Sequence, residues 1–311
     1  MIQQQQIAVL IPCYNEEVAI GAVVRDFVEA LPGATVYVFD NNSSDRTSEI
    51  ARENGAVVYN VPLQGKGNVV RRMFADIEAD AYVLVDGDDT YAAASAPAML
   101  HSLFANQLDM VVARRITEEV AAYRAGHRLG NWLLTECVAR LFGRSFSDIL
   151  SGYRVFSRRY VKSFPALANG FEIETELTVH ALELRMSVDE IASAYKSRPV
   201  GSHSKLNTYR DGVRILLMIV KLFRLERPLA FFGAIAALLA VLAALLAIPL
   251  FITYAETGLV PRFPTAVLVT GMGITAALSA ACGLILDTVT RGRQEIKRLI
   301  YLQIAPPQRP R

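Results

Sequence analysis

Tyr82-Val83-Leu84-Val85-Asp86-Gly87-Asp88-Asp89 is the stretch on which the fold of this chain turns. An apolar run too short for a buried helix and rich in valine predicts a strand covered on both faces. It ends in three carboxylates within four positions, with Gly87 letting the backbone turn. Strand ends in open α/β sheets are where ligands sit. Carboxylates packed this densely repel one another unless a cation lies between them. Hard oxygen ligands kept partly hydrated suit Mg²⁺ or Mn²⁺ bridging the phosphates of a substrate. The plainer alternative is a solvated acidic turn, and the rest of the chain weighs against it.

Upstream, residues 7–11 form a short apolar run followed by Pro12-Cys13-Tyr14-Asn15-Glu16-Glu17. Asn15 and the two acids signal a helix start, with Val23, Phe27 and Leu31 on one face and Pro32-Gly33 as its end. A second strand over 36–39 runs into Asp40-Asn41-Asn42-Ser43-Ser44-Asp45-Arg46-Thr47. A helix through 49–53, a strand over 56–59 and a helix opened by Gly65-Lys66-Gly67 lead to the acidic strand, and 110–113 predicts the next strand. Strands alternating with helices imply right-handed βαβ units and an α/β fold with a mostly parallel sheet. Asp40, at a strand end, suits a base N–H or a ribose hydroxyl. Gly65-Lys66-Gly67 allows close backbone approach and supplies a cation for a phosphate. There is no GxxxxGK[ST] loop and no GxGxxG after the first strand, so neither a P-loop nor a dinucleotide fold is expected.

These pieces, together with Asp86-Gly87-Asp88, resemble the family 2 glycosyltransferases over roughly the first 200 residues. The resemblance implies a GT-A fold (Rossmann-like, mostly parallel), a nucleotide-sugar donor and an inverting transfer. It puts Pro12, Tyr14, Glu16 and Asp40 around the nucleoside, Lys66 near the donor, and Asp86 and Asp88 in a metal-binding DxD holding Mg²⁺ or Mn²⁺. Many members carry a second Asp where Asn41 stands, which leaves the base preference open, with UDP as the first guess. Further on, Ser147-Asp148-Ile149-Leu150-Ser151-Gly152-Tyr153-Arg154 is similar to a segment of dolichyl-phosphate mannose synthases and polyprenyl-phosphate glucosyltransferases. That likeness makes Asp148 the candidate base and Arg154 a phosphate ligand, with Asp88 beside them in the catalytic set. The alternative is an Asp–Arg pair that braces a loop. By the same resemblance Arg128, in Gly126-His127-Arg128-Leu129-Gly130-Asn131-Trp132, and Lys205, in a Gly-Ser-His-Ser-Lys-Leu segment similar to one of those synthases, would join Arg154 as ligands of an acceptor phosphate. Glu172, Glu174 and Glu176 lie on a helix running towards Glu183, most of them solvated or structural, with Glu174 near the site.

At 311 residues and a net charge of +2, the chain has room for one large α/β domain or two modest ones, and it is the charge distribution that informs. Cys13, Cys137 and Cys282 are odd in number and unpaired in spacing, as in a reducing compartment. His101, His127, His180 and His203 show no metal-ligand spacing. The N-terminus runs straight into the first strand, so no leader is expected. Arg210, Arg214, Lys221, Arg224 and Arg227 flank or interrupt an apolar run, as on a helix at an anionic interface. Residues 229–252 and 265–286 carry no charged residue, and about 24 residues make ~36 Å of helix, enough to cross a bilayer. Gly271, Gly273, Ala276 and Ala277 give the second span a small-residue face that suggests self-association. Basic residues before the first span and after the second place both ends in the cytoplasm. The expected organisation is a catalytic domain over 1–207, an amphipathic interfacial helix over 208–228, a transmembrane hairpin over 229–286, and a basic cytoplasmic tail over 287–311.

The expected activity is transfer of a hexose, glucose first, from a nucleotide diphosphate sugar to a polyprenyl or dolichyl phosphate at the cytoplasmic membrane face. No nucleic-acid partner is expected. The alternatives are a membrane glycosyltransferase extending a glycan or glycolipid, for which a QxxRW segment is missing, and a non-catalytic nucleotide-sugar-binding membrane scaffold.

Overall fold

The computed structural model describes residues 5–116, 135–140, 146–166, 170, 172–199, 217–218 and 220–308. Arg128 and Lys205 lie outside the described residues. The chain divides into two compact units, Met1–Ile215 with Ile296–Arg311, and Leu216–Glu295.

In the first unit, seven strands among the described residues form one sheet in the order β3-β2-β1-β4-β6-β5-β7. Strands β1 (Ile7–Cys13), β2 (Thr35–Asp40), β3 (Val57–Asn60) and β4 (Ala81–Leu84) are mutually parallel, as the βαβ pattern requires. Each agrees within two residues with the stretch legible in the sequence. β5 (Met110–Ile116) and β7 (Val188–Ala194) pair in parallel, while β6 (Arg154–Ser157) runs antiparallel between β4 and β5. β1 and β4 are buried on both faces, and that is why they read as continuous apolar runs. The chain moves from β1 outwards to β3 and then crosses back to β4. Its carboxyl-end crevice therefore opens beside Cys13 and the residues after Leu84, where such sheets bind ligands.

Helix α1 (Ile20–Ala30) buries Ile20, Val23, Val24 and Phe27, a single stripe of helical spacing. It begins later than Asn15 suggests, because the Glu16 carbonyl accepts the Ala19 and Ile20 N–H groups at 3.0 and 2.9 Å and Asn15 is used elsewhere. Helices α2 (Thr47–Glu53), α3 (Lys66–Asp76) and α4 (Ala96–Ala105) complete the first layers. After β6 come α5 (Arg158–Ser163) and α6 (Ile173–Glu183), the latter the predicted glutamate-bearing helix.

His180 of α6 is buried between the Tyr160 and Phe164 rings, each centred 5.3 Å from it. Burial first, and the Lys297 charge second, hold its imidazole down to about 3. Between pH 6.5 and 3 the unfolded chain therefore binds a proton that the folded chain refuses. Stability is full above 6.5 and falls with pH through that window. Relative to His180→Gln, the wild type should lose about 1.6 kcal/mol between pH 6.5 and 5, the slope rising towards ~1.4 kcal/mol per unit. Denaturant melts at both pH values check this; parallel losses in the two proteins would refute it.

The second unit holds two long helices, α7 (Pro228–Thr257) and the first part of α8 (Phe263–Leu302). Both are long and apolar enough to cross a membrane, and only 11% of the most apolar window of each is buried. α7 ends at Gly258, whose φ of +69° suits a left-handed cap. Gly283 of α8 meets Phe232 Cβ and the Leu229 backbone of α7, 3.1 and 3.5 Å from where its own Cβ would stand. Close helix approach thus uses Gly283, while Gly271 and Gly273 meet nothing within 4 Å. Residues 220–226 are helical.

The stretch after 286 is helical as far as Leu302, and its last part belongs to the first unit. There Lys297 pairs with Glu183 at 2.6 Å, and the Tyr301 hydroxyl donates to the buried Asp109 at 2.9 Å. The Arg159 guanidinium lies over the Tyr301 ring, 4.7 Å from its centre. Basic residues here serve ion pairs within the fold, which charge composition alone does not distinguish from a solvated tail.

Candidate active site

Two of the loops singled out in the sequence are knitted together at the crevice. The Asn15 N–H donates to Ser43 Oγ at 2.9 Å, and the Ser44 N–H returns to Asn15 Oδ1 at 2.8 Å. The Glu16 N–H donates to Thr47 Oγ1 at 2.9 Å, and the Glu17 N–H to Asp45 Oδ2 at 3.2 Å. Pro12 lies in β1 and Tyr14 is 37% exposed at the loop surface. Asp40 ends β2, buried, its carboxylate accepting from the Ser43 N–H at 3.0 Å and Ser48 Oγ at 2.5 Å.

Asn41 was noted only as a departure from the family pattern, and its surroundings explain it. Its Nδ2 donates to the carbonyls of Val61 and Leu63 at 3.0 and 2.8 Å, while Oδ1 accepts the Gly65 N–H at 2.7 Å. A carboxylate has no hydrogen to give those carbonyls. Gly65, at φ +123°, is the residue before α3, so Asn41 fixes the backbone from which Lys66 projects. Asn41→Leu should cost about 2–3 kcal/mol by stranding these buried groups, and Asn41→Asp more, since it turns a buried carboxylate oxygen onto two carbonyls. Thermal melts of the two variants check the order; equal melting temperatures would contradict it. A cavity of about 220 Å³ behind this loop is lined by Asn60, Val61, Pro62, Leu63, Asn68, Arg71 and Arg72, and none of the candidate carboxylates borders it.

At the centre, both carboxylates of the Asp-Gly-Asp motif face cations from other elements. Lys66 Nζ lies 2.5 Å from Asp86 Oδ1 and also 2.5 Å from Glu174 Oε1. Burial opposes the Lys66 charge, but Asp86 and Glu174 more than offset it and raise its pKa above that of an ordinary lysine. Asp88 accepts from Thr90 Oγ1 at 2.6 Å and pairs with Arg198 at 2.7 Å. Burial first, and the Asp86 charge second, raise the Asp88 carboxyl above the usual range, with Arg198 and Thr90 a partial offset. Arg198 reaches this place because Tyr195 bridges to Tyr91, and the Lys196 N–H donates to the Thr90 carbonyl at 2.8 Å. Sequence reasoning missed Arg198, which carries no spacing signal and is delivered by the irregular segment after β7.

Gly152 explains part of the Ser-Gly-Tyr-Arg segment. A side chain there would run into the Asp86 carboxylate, so only glycine lets this backbone lie against the motif. Its N–H donates to the Tyr91 hydroxyl at 2.9 Å. Asp148 is buried and accepts from Arg115 Nε and a terminal nitrogen at 2.6 and 2.8 Å. Arg115 also stands 5.3 Å above the Tyr195 ring centre, which joins this pair to the same rim.

Asp148 is thus paired with Arg115, not with the Arg154 expected from the motif. Arg154 is fully buried and donates to the carbonyls of Ser151 and Ile149 at 2.9 and 2.5 Å and to Thr178 Oγ1 at 2.8 Å. β6 is buried along its whole length, and this side chain braces the loop carrying Asp148 and Gly152. Such a position does not offer the guanidinium to an acceptor phosphate.

The fold and this rim of acids and bases define a GT-A type glycosyltransferase architecture. A crystal structure of glucosyl-3-phosphoglycerate synthase from Mycobacterium tuberculosis superposes with a TM-score of 0.58 over 71% of this chain and 80% of that one, at 20% identity. Another structure of that enzyme, at a TM-score of 0.55, holds Mn²⁺, UDP and glucosyl-3-phosphoglycerate. The chain belongs to glycosyl transferase family 2, whose sequence profile matches residues 8–164. It is 34% identical over 231 residues to the glycosyltransferase AglJ of Haloferax volcanii, covering 74% of this chain and 76% of that protein. It is 30% identical over 221 residues to a dolichyl-phosphate hexose transferase of the same organism, covering 71% and 95%. An uncharacterised Shigella flexneri protein, SF2094/S2216, is 55% identical over 154 residues, which make up 50% of this chain and 94% of that one.

The two acids that the sequence offers to a divalent ion are Asp86 and Asp88. Among the described residues no three His, Cys, Asp or Glu side chains gather to hold a metal alone. Two hard carboxylates suit an ion that completes its shell with phosphate and water oxygens.

Proposed function

We propose that the protein is an inverting hexosyltransferase that moves a sugar, glucose first, from a UDP-sugar to the phosphate of a polyprenyl or dolichyl lipid. The observation that carries this reading is the pairing of Asp86 and Asp88 with Lys66 and Arg198 at the sheet's carboxyl edge. Support for a lipid acceptor comes from the dolichyl-phosphate hexose transferase relative and from two helices apolar enough to span a bilayer. Pro12, Tyr14, Glu16 and Asp40 bind the nucleoside, and Lys66 meets the diphosphate. Asp86 and Asp88 would hold Mg²⁺ or Mn²⁺, which when bound would neutralise the departing diphosphate. Arg128 and Lys205 receive the acceptor phosphate.

A phosphate monoester with a second pKa of ~6 is mostly ionised at neutral pH and needs little help from a base. Asp148, with both oxygens on Arg115, therefore positions and balances charge at the acceptor, and Arg154 keeps its loop in place. Residues 296–311 share a compact unit with 1–215. If both long helices cross the membrane, the two chain ends lie on one side of it, the cytoplasmic side where nucleotide sugars are found. The open glycine face of α8 is the candidate surface for a homo-oligomer.

Membranes containing the protein, given labelled UDP-glucose and polyprenyl phosphate, should form a labelled lipid that requires Mg²⁺ or Mn²⁺. UDP-galactose and GDP-mannose run beside it to name the sugar. Label entering a glycan without added polyprenyl phosphate would replace the lipid acceptor, and nucleotide-sugar binding without transfer would make the protein a scaffold.

A further inference from the structure

We infer that Lys66 is a built-in counter-cation that a divalent ion must displace from Asp86, and that Glu174 is the positioning residue that receives it. This rests on the reading of Asp86 and Asp88 as metal ligands. The geometry is specific: one ammonium sits 2.5 Å from an oxygen of each of two acids that lie on different elements. Lys66 and Glu174 are nearly buried, with side chains 11% and 9% exposed, whereas Asp86 keeps 28% of its surface open to the crevice. The more open acid is the one that a metal would use. The more enclosed acid, Glu174, is left to hold the lysine.

The backbone of Lys66 cannot follow its amine far. Gly65 is held by Asn41, and Lys66 is the first residue of α3. The amine's freedom is therefore local, between Asp86 on one side and Glu174 on the other. Without Glu174, taking Asp86 for a metal would strand a nearly buried ammonium, which is costly. With Glu174, the ammonium keeps a charged partner and stays beside the site of the diphosphate. Asp86, Asp88 and Glu174 against Lys66 and Arg198 leave one negative charge over. The cluster is thus close to neutral without a metal and needs the donor's phosphates to accept a dication. Metal and nucleotide should bind together.

The test is Mn²⁺ binding, read from loss of the free-ion EPR signal, on the full chain in detergent with and without UDP. Wild type should bind Mn²⁺ at least tenfold more tightly with UDP present. Without UDP, Lys66→Met should bind Mn²⁺ about tenfold more tightly than wild type, because the competitor is gone. Glu174→Gln should bind it about tenfold more weakly, because the amine is committed to Asp86. The double variant should resemble Lys66→Met, since no amine remains to be drawn away. Additive effects that return the double variant to the wild-type value would indicate independent charges and overturn the inference. Should Lys66→Met fail to fold, Glu174→Gln against the exposed Glu172→Gln decides: equal binding by the two would also overturn it. Wild type taking up no Mn²⁺ even with UDP would instead refute the metal reading itself.

Discussion

Asp88→Asn is expected to give a folded protein that transfers sugar at least ~10³-fold more slowly, the loss of about 4 kcal/mol of transition-state stabilisation. The amide keeps an oxygen for Thr90, which donates to Asp88 Oδ1 at 2.6 Å. It cannot replace the anionic oxygen that pairs with Arg198 at 2.7 Å or bind a hard cation as well. The fold should not suffer. Burial and the Asp86 charge both disfavour the ionised carboxylate in place, so its neutral isostere relieves as much as it loses. The melting temperature should match or exceed that of the wild type, because a site arranged for ligand binding stores local electrostatic cost. Transfer of labelled sugar and a circular dichroism melt together decide. A variant active to within tenfold would remove Asp88 from the chemistry, and an inactive variant that melts early would make Asp88 a structural residue.

Much of the first unit was legible because its strands are buried on both faces and bounded by loops of distinctive chemistry. β1, β2 and β4 announce themselves as short apolar runs ending at Pro12, Asp40 and Asp86. The antiparallel β6 was not legible, since Arg154-Val155-Phe156-Ser157 is four residues long and begins with an arginine. That arginine misled in a second way. An Arg six residues after an Asp looks like a partner for it, yet Arg154 is spent on the carbonyls of Ser151 and Ile149 while Arg115, from the distant β5, pairs with Asp148. Partners so far apart in sequence leave no periodic trace. Lys66 was placed near the donor by resemblance, but its double tie to Asp86 and Glu174 joins residues 108 positions apart and emerges only in three dimensions. The segment after residue 286 was the reverse case. Its charges were visible, but whether they face water or buried acids depends on where the helix lands.

Lys297→Met should destabilise the first unit by about 3–5 kcal/mol, the range for breaking a buried ion pair on one side. Glu183 has a side chain 1% exposed, and Lys297 reaches one of its oxygens at 2.6 Å. The other oxygen has no hydrogen-bond partner among the described residues. Methionine keeps most of the apolar stem and removes the charge, so the loss reports the pair and not the packing. Tyr301→Phe should cost only about 1 kcal/mol, because Asp109 retains Arg159 and Ser157 as partners. Adding Glu183→Gln to Lys297→Met should recover most of the loss by removing the stranded charge. The consequence reaches the site through α6, which carries Glu174 in its first turn and ends at Glu183. A helix anchored by an acid near each end, one on Lys66 and one on Lys297, loosens at both when either tie is cut. Lys297→Met should therefore also weaken Mn²⁺ binding in the presence of UDP, although Lys297 pairs at the opposite end of α6 from Glu174. Denaturant unfolding followed by far-ultraviolet circular dichroism measures the first effect and EPR the second. Wild-type values for both would mean that the end of α8 is a passenger on the catalytic unit.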